Sequence, residues 1–361
     1  MEMQARGSTQ PTESGHRVAL VLGSGGARGY AHIGVIEALE ARGYEIVAIS
    51  GCSMGALVAG VFAAGKLEAY REWVCDLDYF DVLRLVDVTW SPMGAMRASK
   101  VMSKLESLIG DKRIEDLAVP VTTVATDLVR QREVWFQSGS LLQAIRASIA
   151  VPGIITPVHL GDQVLVDGGL MNPLPIIPTV SAQADFVLAV NATAHSPRPV
   201  SLQDLLPPAQ AAREQAREEA LEAEGHGFAG WIGGIRERAQ RLFSGTADTL
   251  EEAGDAGTAP SDSQRAWGRL DMILASFDIA QGALAKYKVA GYPPDVLIEI
   301  PKTVCGAYEF HRAPALIDLG RHLALQALDR YEGRTGVGDM TSEQVSVVPR
   351  TPPSGDEPAS S

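Results

Sequence analysis

The chain has 361 residues, of which 46% are hydrophobic and 21% charged, and its 31 basic and 44 acidic side chains give a formal net charge of −13. That composition belongs to a globular protein and excludes collagenous, disulfide-stapled and wholly disordered chains. No broad basic face is available to neutralise a phosphate backbone, which excludes nucleic acid as the main partner. The three cysteines, Cys52, Cys75 and Cys305, are far apart and form no CxxC pair, so neither a disulfide framework nor a cysteine zinc site is expected and a reducing, cytoplasmic setting fits.

In chain order, residues 1–16 are polar, lack the apolar core of a signal peptide, and read as a flexible leader. Arg17 to Leu22 (RVALVL) predicts a buried strand, followed by a glycine-rich loop and a helix from about Ala27 to Arg42 with Ile33, Ile36, Ala38 and Leu39 on its apolar side. The run Ile46 to Gly65 is uncharged and long enough to span a bilayer. Ser50, Gly51, Ser53 and Gly55 interrupt it, however, so a strand at Ile46–Ser50, a sharp turn and a buried helix are expected instead. Further strands are predicted at Val119–Thr126, Val134–Phe136, Gln163–Val166, Phe186–Asn191 and Val296–Ile300. Helices are predicted near Leu67–Leu77, Ser99–Ile109 and Leu141–Ala147. Strands buried on both faces and alternating with helices point to a parallel sheet covered by helices.

This organisation gives a catalytic core over 17–200 and an acidic insertion over 201–262, helical first and disordered over 245–262. Residues 263–334 return to complete the same domain, with an amphipathic helix over Ser263–Val289, whose apolar positions are Leu270, Ile273, Leu274, Phe277, Ala280 and Leu284, and a last helix over Ala313–Tyr331. Residues 335–361 read as a disordered tail. The charge is uneven, −4 over residues 1–200 and −9 over 201–361, so the acidity belongs mainly to the later segments.

Glycine carries the functional signal: nine of the 36 glycines fall between positions 23 and 60. Gly51-Cys52-Ser53-Met54-Gly55 is a G-x-S-x-G between a β-branched strand and a helix, the setting of a nucleophile elbow. Small residues at Gly51 and Gly55 let strand and helix approach, and Ser53 sits at a helix N-terminus that favours developing negative charge. Gly23-Ser24-Gly25-Gly26-Ala27-Arg28-Gly29 also joins a strand to a helix. Arg28 occupies the place of the last glycine of a dinucleotide fingerprint, and no acid closes the second strand. The Lys-Ser/Thr of a phosphate-binding P-loop is missing too. An oxyanion hole of converging N–H groups explains the loop better. Asp167-Gly168-Gly169 ends a strand and offers a carboxylate as base, although D-G-G alone is a common turn.

These three motifs in this order, GSGGARG, GCSMG and DGG, resemble the patatin-like phospholipases, most closely the bacterial branch related to the neuropathy target esterase catalytic domain. The resemblance runs from about Arg17 to Asn191 and includes Ala147-Ser148-Ile149-Ala150-Val151-Pro152-Gly153 and the returning strand VLIEIP. It implies a three-layer α/β/α fold with a mostly parallel central sheet, Ser53 as nucleophile, Asp167 as its dyad partner, and Gly25, Gly26 and the Arg28 backbone as oxyanion donors. Gly23-Ser24 departs from the family's triple glycine. The implied activity is hydrolysis of phospholipid or lysophospholipid acyl esters without histidine, metal or other cofactor. Among the histidines, His195, His226, His311 and His322 follow Asp167 in the order a conventional triad would need, and His32 reads as a packing residue.

A lipid substrate implies an interface, and Gly230 to Ser244 (GWIGGIRERAQRLFS) has the basic and apolar mixture of a peripheral membrane segment at the inner membrane face. Two other readings of the chain stay open: a soluble carboxylesterase or thioesterase of small acyl substrates, and a catalytically silent interaction protein of the same fold.

Overall fold

The computed structural model describes residues 16–85, 88–91, 94–223, 269–333 and 345–347. The leader 1–15, the segment 230–244 and the acidic stretch 245–262 lie outside these residues. In chain order the strands are β1 (Arg17–Leu22), β2 (Glu45–Cys52), β3 (Val88–Ser91), β4 (Gly94–Met96), β5 (Val121–Asp127), β6 (Arg132–Phe136), β7 (Gly153–Ile155), β8 (Val158–Leu160), β9 (Gln163–Asp167), β10 (Phe186–Ala194), β11 (Val296–Pro301) and β12 (Val345–Val347). The helices are α1 (Ala31–Ala41), α2 (Met54–Ala63), α3 (Leu67–Asp76), α4 (Tyr79–Leu85), α5 (Ser99–Ile109), α6 (Leu141–Ser148), α7 (Leu202–Leu205), α8 (Pro208–Ala223), α9 (Arg269–Gly291) and α10 (Ala313–Tyr331).

Nine strands form one sheet along the path β12-β11-β10-β1-β2-β5-β9-β8, with β6 also paired to β5, while β3, β4 and β7 make a small second sheet. The pairs β11–β10, β10–β1, β1–β2 and β2–β5 are parallel. This mixed, mostly parallel sheet with helices on both sides is the three-layer α/β/α arrangement. The period of two along each strand assigns the layers. Val18, Leu20 and Leu22 of β1, with Leu188 and Val190 of β10, join the larger core with α1, α2 and α10. Their neighbours Val21 and Ala189 point the other way and pack with Leu174, Ile176, Leu297 and Ala285 of α9. The uncharged run 46–65 is divided between β2 and α2, and no helix among the described residues is long and apolar enough to cross a membrane.

Two elements differ from the sequence expectation near the ends of the domain. The helix expected from Ala27 begins as a 3₁₀ turn over Gly26–Tyr30, and α1 starts only at Ala31. Gly29 sets this tight entry, because a Cβ there would stand 2.3 Å from Met54 Cγ. In the expected tail, Val345–Val347 forms an edge strand antiparallel to β11. Three residues are too few to show periodicity in a stretch of Gly, Ser, Thr and Pro.

The layer against α10 depends on two glycines. A Cβ on Gly34 of α1 would lie 1.9 Å from the Ile317 carbonyl oxygen, and one on Gly320 of α10 would lie 1.9 Å from that of Ala31. Each helix therefore rests its backbone on the other, and a single methyl must separate them. Gly320→Ala is expected to cost about 3 kcal/mol in urea unfolding. Gly43→Ala, in open space at φ +74°, should show only backbone strain of about 1 kcal/mol.

Candidate active site

The site forms where three strand ends meet. β2 runs out at Cys52, and Ser53 adopts φ 55°, ψ −121° before α2 begins at Met54. A non-glycine residue at positive φ is strained, and the close crossing of strand and helix enforces it. A Cβ on Gly55 would stand 2.1 Å from the Leu22 carbonyl oxygen and one on Gly51 2.4 Å from that of Gly55. The Ser53 N–H donates to Ser148 Oγ at 2.9 Å, and the Ser148 hydroxyl donates in turn to the Val124 carbonyl at 2.6 Å. Ser148, at the end of α6, thus fixes the turn to the middle of β5. Its segment was visible in sequence, but this bracing role was not.

Asp167 reaches the same place from the opposite direction. Cys52 is opposite Val124 in the parallel β2–β5 pair, and Asp167 is opposite Ala125 in the antiparallel β9–β5 pair. Val124 and Ala125 also pair with Trp135 and Val134 of β6. β6 therefore occupies one edge of β5, and β2 and β9 share the other end to end. Gly168 permits the junction, since a Cβ there would lie 2.2 Å from the Val124 carbonyl oxygen and 3.1 Å from Cys52 Sγ.

Asp167 is fully buried. Its Oδ1 accepts the Gly169 N–H at 2.7 Å and lies 3.9 Å from the Cys52 thiol. Its Oδ2 is buried without a hydrogen-bond partner among the described residues. Burial pushes the carboxyl up to about 6, against the downward pull of the nearby Ser53 hydroxyl, the Gly169 N–H and the Cys52 thiol. An unpaired buried carboxylate oxygen beside a serine hydroxyl has the chemistry to accept a proton.

The glycine loop after β1 is the third end. The Gly23 N–H donates to the Val190 carbonyl, that of Ser24 to Pro173 and that of Ala27 to Ala307. The Gly25 N–H has no backbone acceptor among the described residues. Gly26 has φ +59°, and a Cβ there would meet the Ala307 carbonyl oxygen at 2.4 Å. The 3₁₀ turn that opens at Gly26 directs the Arg28 N–H toward the Gly25 carbonyl by its i→i+3 bonding. Among the described residues neither the Gly25 nor the Gly26 N–H has a backbone acceptor. The Arg28 side chain, 4% exposed, donates from Nε to the Gly25 carbonyl at 3.1 Å and from Nη1 to that of Lys302 at 2.9 Å, and lies 3.6 Å from Asp278. Burial draws its pKa down, opposed chiefly by the Asp278 carboxylate.

His32 is fully buried, with Nε2 at 2.8 Å from the Gly23 carbonyl. Burial holds its pKa down to about 4, so the ring is neutral at pH 7 and Nε2 carries the proton toward that carbonyl. His322 sits beside Gln326 on α10, His195 lines a trough with Asp278 and Lys302, and His226 is outside the described residues.

Sequence reasoning missed the clamp from α9. Gln281, 5% exposed, accepts the Ser24 hydroxyl at 2.6 Å through Oε1. Its Nε2 lies so close to Gly169 that a Cβ there would approach it to 2.3 Å. One side chain thus touches both the glycine loop and the Asp167 turn. The partner of Ser24, the loop's departure from triple glycine, lies 257 residues away, and an amphipathic pattern cannot disclose it.

Residues 20–180 match the Patatin-like phospholipase family. An NTE family protein of Mycobacterium tuberculosis is 40% identical over 91% of this chain and 95% of its own length. The chain belongs to the patatin-like phospholipases, in their NTE family. Patatin-like phospholipase domain-containing protein 6 of Mus musculus is 32% identical over 49% of this chain and 14% of its own length. Among solved structures, VipD from Legionella pneumophila superposes with a TM-score of 0.41 and 16% identity, covering 88% of this chain and 67% of VipD.

The raised Asp167 has a thermodynamic consequence. Below about pH 4 it is protonated in both folded and unfolded chains. Between the unfolded value and about 6 the unfolded chain releases the proton first, so stability falls as pH rises and then levels off. Asp167→Asn keeps an Oδ1 for the Gly169 N–H and removes this cost. The variant is expected to be more stable than wild type by roughly 2–3 kcal/mol at pH 7 to 8, with the gain vanishing toward pH 4, in denaturant titrations at each pH.

Proposed function

We propose that this patatin-like protein is a serine carboxylic-ester hydrolase of phospholipid or lysophospholipid substrates that works through a Ser53–Asp167 dyad. The observation that carries the reading is the buried, unpaired Oδ2 of Asp167 beside the strained Ser53 turn. Asp167 takes the Ser53 proton as Oγ attacks the acyl carbonyl. The carbonyl oxygen, now an anion, is held by the N–H groups of Gly25 and Gly26, which have no other backbone duty. Arg28 enters through its side chain, which braces the Gly25 carbonyl. Its N–H, expected from the sequence as a third donor, faces that carbonyl instead. When the tetrahedral intermediate collapses, the protonated Asp167 gives its proton to the leaving alcohol. The acyl-serine is then cleaved by a water molecule that Asp167 deprotonates, and the serine is restored.

This reading expects Ser53→Ala and Asp167→Asn each to lower kcat for a soluble aryl ester by at least about 10³-fold. A fluorophosphonate probe should label the wild type and leave Ser53→Ala unlabelled. Retention of hydrolysis by either variant would remove the dyad from consideration.

The pH profile tests the base separately. Because Asp167 works ionised and titrates near 6, kcat/KM should rise tenfold per pH unit below 6 and reach a plateau above it. A profile flat from pH 5 to 8 would contradict Asp167 as the base.

A further inference from the structure

The segment 302–312 joins β11 to α10 across the glycine loop, and the reaction through Ser53 and Asp167 leaves its side chains without a role. Both of its ends are anchored. Val304 and Cys305 are buried, and the Cys305 thiol donates to the Gly306 carbonyl at 3.1 Å. Phe310 meets Tyr30 edge to face with ring centroids 5.9 Å apart. Arg312 pairs with Glu309 at 3.2 Å and with Glu214 of α8 at 2.8 Å. Between these anchors the chain rests on the proposed oxyanion loop. The Ala307 carbonyl accepts the Ala27 N–H at 2.8 Å, and a Cβ on Gly26 would stand 2.4 Å from that oxygen and 3.2 Å from the Ala307 Cα.

Tyr308 follows Ala307 directly, so its side chain starts one residue from the Gly26 contact. Burial pushes the phenol up, the Asp167 and Asp278 carboxylates add to that, and the Arg28 guanidinium opposes them. The ring therefore stands within the fields of both the base and the loop arginine. Yet Tyr308 is 38% exposed. A side chain enclosed by protein and still open to water lines a cleft, where a ligand can reach it. Its hydroxyl has no hydrogen-bond partner among the described residues. Two carboxylates nearby resist its ionisation, so it remains an O–H donor at every pH at which Asp167 is ionised. Arg28, the neighbouring donor, is already engaged by the Gly25 and Lys302 carbonyls and by Asp278. What the phenol meets follows from the order of groups in the proposed reaction. The acyl oxygen lies at Gly25 and Gly26, and the leaving oxygen must come to Asp167 for its proton. A donor mounted beside Gly26 and close to Asp167 faces that leaving oxygen.

We propose that Tyr308 is a further catalytic residue, whose phenol O–H donates a hydrogen bond to the alcohol oxygen of the ester and fits the site to esters of alkyl alcohols such as glycerol. This rests on the dyad reading above and deepens it. When the tetrahedral intermediate collapses, the bond from the acyl carbon to the alcohol oxygen breaks, its electron pair goes to that oxygen, and the proton comes from Asp167. Tyr308 keeps its own proton and stabilises the negative charge that develops before the transfer is complete. An aryl oxide is stable as an anion and needs little of this help, whereas an alkoxide needs most.

The test compares kcat/KM of the full chain, wild type and Tyr308→Phe, on two soluble substrates that share an acyl group, 4-nitrophenyl butyrate and 1-butyrylglycerol. The phenylalanine keeps the ring and removes only the donor. It should lower kcat/KM about tenfold for the glycerol ester and only about twofold for the nitrophenyl ester. The contrast between the two is the signature, because damage to the loop or the dyad would lower both alike. Equal losses on the two esters, or no loss on the glycerol ester, overturn the proposal. Hydrolysis of the nitrophenyl ester alone by wild type overturns it as well, since the site would then not be fitted to an alkyl alcohol. Failure of wild type to hydrolyse either ester or to react with the fluorophosphonate would count against the proposed function instead, so the two failures are distinct.

Discussion

The site depends on one edge of one strand. β5 lends that edge to β2 up to Val124 and to β9 from Ala125, so a parallel and an antiparallel neighbour meet head to head. Two strands arriving from opposite directions can bring their last residues together only if neither carries bulk at the junction. Gly168 meets that condition against the Val124 carbonyl and Cys52. Ser148 ties the same carbonyl to the Ser53 N–H, so the backbone polar groups at the junction are satisfied within it. Ser53 and Asp167, 114 positions apart in sequence, are neighbours because of this pairing pattern rather than because of a flexible approach.

Rigidity at the junction sets the electrostatics. Water that would otherwise solvate Asp167 is excluded, and one N–H and one thiol do not replace it, so the carboxyl is drawn toward its neutral form. The fold leaves Oδ2 without a hydrogen-bond partner among the described residues, beside the Ser53 turn. A second backbone hydrogen bond to Oδ2 would stabilise the carboxylate and lower its basicity. The burial that raises Asp167 and the vacancy on Oδ2 therefore act in the same direction, and both oppose folding stability at neutral pH.

The parts of this arrangement differ in how far they can be read from sequence. Ser53, Asp167 and the glycine loop were legible because the backbone conformations they need demand glycine at fixed offsets, and glycine placement is a local signal. β1, α5 and α10 were legible because their apolar patterns are long or sharply bounded. β3, β4, β7 and β12 are three or four residues each, shorter than any period that could reveal them. Gln281 and the Arg28 side chain act through partners hundreds of residues distant, and nothing in their own neighbourhoods distinguishes them from surface polar groups. For α9 the pattern was right only in part. Of the apolar positions it named, Leu274, Phe277, Ala280 and Leu284 are partly buried and Ile273 is exposed, while the buried positions are Gln281 and Ala285, which the pattern did not name.

That mismatch makes α9 the element that joins the site to its surroundings. Its inner side is selected by close approach: Gln281 against Gly169 and Ser24, with Asp278 reaching Arg28 and through it the Gly25 carbonyl. Its outer side is free of those steric demands and carries Ile279, Tyr287 and Lys286 in the open. A helix with constraints on only one side ordinarily fills the other with short polar residues, since exposed apolar groups favour aggregation. Here Ile279 and Tyr287 stand exposed instead. Because Gln281 and Asp278 lie within one turn of Ile279, a substitution that displaced this stretch of α9 would bear directly on the glycine loop, through Ser24 and through Arg28.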